Sequence, residues 1–139
     1  TERIGPSCAV AFIKKHKRLN LGNILIEKGK KIKNVWKRCA YNAGLDIEIN
    51  GIDPLPTFKL VVKDWPATLT FFIQEMLKNK FLATDKCYAN YKHDNNLIKK
   101  YEKACLKVFQ KIYKLNKSNN IRKNLESPIK LMGFKRLTN

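Results

Sequence analysis

The sequence predicts an α+β domain: a short antiparallel sheet covered by helices and preceded by two of them. Three observations carry that expectation. Apolar residues recur at spacings of three and four through both ends of the chain, which is the helical period. Over residues 45–49 and 57–62 the period falls to two. Between those stretches stand Gly51, Pro54 and Pro56, the residues of a turn.

The elements follow in order. Gly5-Pro6 ahead of Ser7-Cys8-Ala9-Val10-Ala11 reads as a helix start, because Pro at a first helical position has no N–H to waste. That helix is expected to run to Arg18 or Leu19, and its small first turn suits close approach to another surface. A longer helix follows from Asn20. Leu21, Leu25, Ile32, Trp36, Cys39 and Ala43 trace its apolar stripe, with one gap bridged by Gly29, and Gly44 suits its left-handed end.

Residues 45–49 alternate apolar with acidic and read as a half-buried strand; residues 57–62 are the best strand in the chain. Asp64-Trp65-Pro66 breaks it, and a compact helix follows on Leu69, Phe72, Ile73, Met76 and Leu77. Residues 81–83 and 87–89 are expected as short strand pieces around a turn. The last helix starts at Asp94, an N-cap, and runs on Leu97, Tyr101, Ala104, Val108, Ile112 and Leu115. Past Asn116 polar residues dominate until a second apolar patch over residues 127–137, which suggests a tail that docks on something.

Charge is the loudest feature and the least specific. The 139 residues carry 29 Lys and Arg against 11 Asp and Glu, a formal net charge of +18. Such an excess points towards nucleic acid or an anionic surface. Yet 24 of the 29 are Lys, only five are Arg, and Asn occurs 14 times. Arg is the residue that forks onto phosphate and guanine, so its scarcity favours solvated Lys-rich helix faces. No run approaches the roughly 20 apolar residues of a membrane span. The chain opens on Thr1-Glu2-Arg3 without Met and without a secretory leader, which suggests a piece of a longer protein.

The usual chemical equipment is sparse. Cys8, Cys39, Cys87 and Cys105 lie too far apart for a zinc cluster, and their spacing fits a reducing, cytoplasmic setting. Cys8, Cys39 and Cys105 fall on helical stretches and are expected as small buried apolar residues. His16 sits among lysines and His93 before a helix start, neither with a recognisable nucleophile. Asp46 and Glu48 share a strand face that reads as the solvent side. No phosphate-cradling Gly-rich loop occurs, and no catalytic or metal-ligating set is assigned on this chain.

Several phrases resemble the carboxy-terminal part of the class III pyridoxal-phosphate (PLP) aminotransferases, in the glutamate-1-semialdehyde aminomutase-like branch. Residues 1–11 are similar to the family's Thr-x-x-x-(Gly/Asn)-Pro turn into an Ala-rich helix. Residues 72–82 resemble its F-x-x-x-M-L-x-x-G-I/V phrase, with Lys80 standing where relatives often have Gly. His93-Asp94 resembles its H-(T/S)-x-x-(D/E)-I helix start, and the tail through Gly133-Phe134 is similar to relatives tied to surface-sugar biosynthesis. Leu55 lies in a Pro-x-Pro phrase that can carry Arg in relatives.

The resemblance implies the small domain of a fold-type I PLP enzyme over residues 1–115, with a basic tail over 116–139 docking on the parent enzyme. It implies that the Schiff-base Lys and the Asp facing the pyridinium nitrogen lie upstream. It carries over one cofactor-binding position, Thr1, whose hydroxyl and N–H would bind the cofactor phosphate of the neighbouring subunit. The parent would be a cytoplasmic homodimer moving an amino group between small-molecule donor and acceptor. The competing expectation is a Lys-rich module that binds nucleic acid or another anionic polymer.

Overall fold

The computed structural model of the chain describes residues 4–130. Helix α1 spans Ile4–Arg18 and α2 Leu21–Ala43. Strands β1 (Ile47–Asn50) and β2 (Thr57–Leu60) follow, then α3 (Trp65–Lys78), α4 (Asn95–Lys117) and a 3-10 turn over Arg122–Asn124. This is the α+β layer that the sequence predicts.

The two strands pair antiparallel with Ile47 opposite Leu60 and Ile49 opposite Phe58. That register puts four apolar side chains on one face and leaves Glu48 opposite Lys59 on the other. Helices α2, α3 and α4 cover the apolar face. Phe58 is the meeting point, with its ring 4.8 Å from Trp36 of α2, 5.3 Å from Phe72 of α3 and 5.8 Å from Phe109 of α4. Each of these side chains is at most 3% exposed. Helices α2 and α4 run parallel: Lys31 bonds Asn95, Trp36 bonds Tyr101 and Arg38 bonds Glu102.

The gap at Gly29 has a steric reason. A Cβ there would lie 1.5 Å from the Asp53 carbonyl oxygen, so the β1–β2 turn rests directly on α2. Lys33 secures the same turn, donating to the Gly51 carbonyl at 2.9 Å and to Asp53 at 2.8 Å.

Helices α2, α3 and α4 end in the same way. Gly44, Lys80 and Asn119 each take a positive φ, of 73°, 65° and 53°. At each end the following N–H reaches back to the last turn: Leu45 to Ala40, Phe81 to Met76, Asn120 to Leu115. This is the Schellman arrangement, which favours Gly and tolerates Asn at that position. Lys80 is the exception.

Residues 81–83 and 87–89 do not form the expected strands. Residues 85–89 run along the free edge of β2, where Cys87 N–H donates to Pro56 and Ala89 N–H to Pro54. Neither proline has an N–H to return, so the ladder cannot become reciprocal. Phe58 N–H to Asp85 and one bridge between Thr57 and Lys86 complete the contact.

The stripe of α4 is wider than expected, since Ile98, Cys105 and Phe109 are buried beside Ala104, Val108 and Ile112. After α4 the chain lies against α3 as far as Lys130. Ile121 is buried, Gln74 bonds Asn124 and Glu126, and Lys130 N–H donates to Thr70 at 2.8 Å. Residues 131–139 lie outside the described residues.

Candidate functional site

Thr1 lies outside the described residues, so the candidate region is met from the helix that follows it. Helix α1 departs from expectation along its amino-terminal half. Residues 5–13 are exposed, with Val10 at 50%, Phe12 at 65% and Ile13 at 51%. Cys8, expected as a buried apolar residue, is exposed with them, whereas Cys39 and Cys105 are buried. The reason is reach. Only the carboxy-terminal part of α1 returns to the body, through the Asn20 turn (φ 48°) into α2. Phe12 meets His16 at 6.0 Å between ring centres, a contact within the helix.

The titratable groups divide into those that are tied and those that face solvent. Glu75 is 4% exposed and bridges Lys78 at 2.9 Å and Lys111 at 2.6 Å. Burial raises its carboxyl, but the two ammonium groups together outweigh burial and hold it below its ordinary value. Lys78 also reaches Glu126 at 2.5 Å, which ties the segment after α4 to the same ion-pair network. Asp64 caps α3 through the Ala67 N–H and binds Arg122 at 2.5 Å, which lowers its carboxyl chiefly through that bond. The Lys33 bond does the same for Asp53. Sequence spacing marks Glu75 with Lys78; nothing local marks Lys111, which the α3–α4 packing supplies.

Asp46 and Glu48 face solvent as expected. His93 is partly buried rather than a bare capping neighbour: its Nδ1 accepts the Asn90 N–H at 3.3 Å, and Lys28 Nζ holds its carbonyl. The Cys105 thiol bonds Cys39, Cys39 reaches the Glu102 carbonyl at 3.5 Å, and burial pushes Cys105 well up. This buried thiol pair is structural. Among the described residues no three His, Cys, Asp or Glu side chains gather as metal ligands. No described helix is long and apolar enough to cross a membrane.

The described residues do not fit PLP by themselves. A lysine that joins the cofactor is neutralised by burial, and none of the described lysines is buried. A cleft of about 840 Å³ beside Asp64 and Tyr113 has its Asp64 already bound to Arg122. The chain matches no family model, no curated protein and no solved structure.

Proposed function

We propose that the chain is the small, carboxy-terminal domain of a PLP-dependent class III aminotransferase or aminomutase, of the glutamate-1-semialdehyde aminomutase-like branch. The observation that carries this reading is the backbone at Lys80. The phrase over residues 72–82 resembles one in which relatives often have Gly at this position. Here a Lys stands at φ 65°, a conformation that L side chains avoid and Gly accepts. Backbone geometry thus asks for the residue that the resembled phrase carries, although the side chain differs.

The exposed face of α1 supports the same reading. Val10, Phe12 and Ile13 follow directly on the Thr1–Pro6 phrase, where a larger domain upstream would cover them. In that assembly the chain would close over the substrate and offer Thr1 to the cofactor phosphate of a partner subunit. The assembly would be a cytoplasmic homodimer, and its amino donor and acceptor would be bound largely by the upstream domain.

The test extends the coding sequence upstream of Thr1. The expected outcome is an Asp-bearing strand and a Lys after a strand, and an extended protein that keeps a PLP absorbance band through dialysis. The 139-residue chain alone keeps none. A start codon directly before Thr1 overturns the reading. So does a band on the chain alone that substitution of one Lys removes.

One observation favours the second reading, a basic module. Lys80, Lys100, Lys103 and Lys107 line one groove floored by Phe81 and Ala104, and among the described residues none has a carboxylate partner. A salt titration against duplex DNA separates the two. Tight binding that falls steeply with salt favours the module; micromolar or weaker binding favours the enzyme domain.

A further inference from the structure

We propose that the cavity between residues 81–88 and the amino-terminal half of α4 binds an uncharged, largely apolar carbonyl compound, an aryl ketone being the simplest. Its volume is about 450 Å³, within the range of small-molecule pockets. Ile32 and Ile98, both buried, form its deep side, and Phe81 and Leu97 add apolar wall. Leu82, at 93% exposed, and Tyr88, at 73%, stand at its rim with nothing apolar over them among the described residues. This inference does not depend on the aminotransferase reading.

Two polar groups of the lining, Tyr101 and His93, hold protons that no acceptor takes among the described residues. Tyr101 stands edge-on to Phe81 at 5.5 Å, and its phenol oxygen accepts the Trp36 indole N–H at 2.8 Å. Among the described residues no acceptor takes the phenol proton in return. Burial pushes that phenol well above its ordinary value, so the proton stays. His93 also lines the cavity. Because its Nδ1 accepts from Asn90, the ring proton of the neutral imidazole sits on Nε2. Burial and the Lys28 charge hold His93 below its ordinary value, which keeps the ring neutral.

The lining contains no carboxylate, and its one charged residue is Lys86 on the exposed side. A cation has no counter-charge there. A ligand that brings only donors leaves the Tyr101 and His93 protons unanswered. A carbonyl oxygen on an apolar frame satisfies the phenol proton without bringing a charge into the apolar wall.

Cys87 makes the cavity readable, because it lines the cavity, is half-buried, and has a thiol pushed up by burial. The 139-residue chain is alkylated with N-ethylmaleimide across a titration of acetophenone, and each cysteine is followed by peptide mass spectrometry. Alkylation at Cys87 is expected to fall saturably while exposed Cys8 is unchanged. Tyr101→Phe is expected to weaken acetophenone about tenfold and leave α-methylstyrene, its isostere without an acceptor, unchanged.

Tyr101→Phe orphans the Trp36 N–H, so a second measurement covers a variant that does not fold. Acetophenone labelled with ¹³C at the carbonyl is expected to show a bound resonance downfield of its position in alkane. The proposal is overturned if Cys87 is not protected at millimolar acetophenone. It is equally overturned if the bound resonance keeps the alkane position, or if benzoate protects Cys87 at lower concentration than acetophenone does.

Discussion

Helix α1 and helix α2 share a Lys-rich composition and meet at a single turn, yet one stands largely in solvent and the other is built into the core. The stripe of α2 from Ile32 to Ala43 lies on Phe58 and α4, so every apolar residue on it has a partner. Helix α1 also carries large apolar residues, Val10, Phe12 and Ile13, and they are half or more exposed. Amphipathicity states that a helix has a face to bury; it does not state against what. The body of the fold answers that question inside the chain, and α1 leaves it to another surface.

The comparison breaks most visibly at Phe58. Phe58→Ala is expected to destabilise the chain by about 3–5 kcal/mol, because four aromatic neighbours lose their common partner. Chemical denaturation followed by Trp fluorescence reads it directly, since Trp36 and Trp65 both abut that ring. Gly29→Ala comes next. The added Cβ would overlap the Asp53 carbonyl, so the β1–β2 turn must lift, at about 1–3 kcal/mol. A shift confined to the melting temperature of the whole domain checks it. An unchanged value would mean the turn is not seated on α2.

Glu75 ranks third, and its effect depends on pH. Glu75→Gln keeps the shape and removes the charge that pairs with Lys78 and Lys111, costing about 1–3 kcal/mol at pH 7. The carboxyl is depressed in the folded state, so its stabilisation is complete above the ordinary value near 4.5. It is lost as pH falls through the lower folded value. The gap between the natural chain and Glu75→Gln should therefore be full at pH 6–7 and close below pH 4.5. Urea midpoints measured across that range check the sign.

How much of this was legible in the sequence depends on what each feature needs. The helix start at Asp94 and the helix end at Gly44 are each written in one or two residues, and both appear where expected. The failures need knowledge of a second segment. Residues 87–89 look like a strand, but the edge they meet carries Pro54 and Pro56 and cannot reciprocate. Cys8 looks like a core residue because helical periodicity is local, while burial is not. The cavity beside Tyr101 draws on α2, α4 and the segment between α3 and α4, with no shared spacing. Thr1 was reached only through resemblance to a family, never through its own chemistry.

Lys80 sharpens the comparison inside the body, where one helix end departs from its neighbours. Gly44 and Asn119 occupy the left-handed position at little cost, whereas a Lys side chain there is strained. Lys80→Gly relieves about 1 kcal/mol of that strain and gives back part of it as chain entropy in the unfolded state. The net expectation is a gain of about 0.5 kcal/mol, with hydrogen exchange at the Phe81 amide slowed. A loss of stability would mean that the Lys80 side chain makes a contribution larger than the strain.

The smallest effect expected is the most telling for α1. Phe12→Ser removes a side chain that is 65% exposed and whose ring contact is His16, one turn away. Stability of the chain alone should change by no more than about 0.5 kcal/mol, the range of surface substitutions. An exposed Phe close to Val10 and Ile13 nevertheless promotes association once it is left uncovered. Sedimentation at rising concentration should therefore show less self-association for Phe12→Ser at unchanged stability. If the substitution instead costs as much as Gly29→Ala, α1 is folded onto the body in solution and the contrast with α2 disappears. Under the proposed function the ranking should invert in a protein extended upstream, with Phe12→Ser weakening the packing of the proposed larger domain while leaving the core around Phe58 untouched.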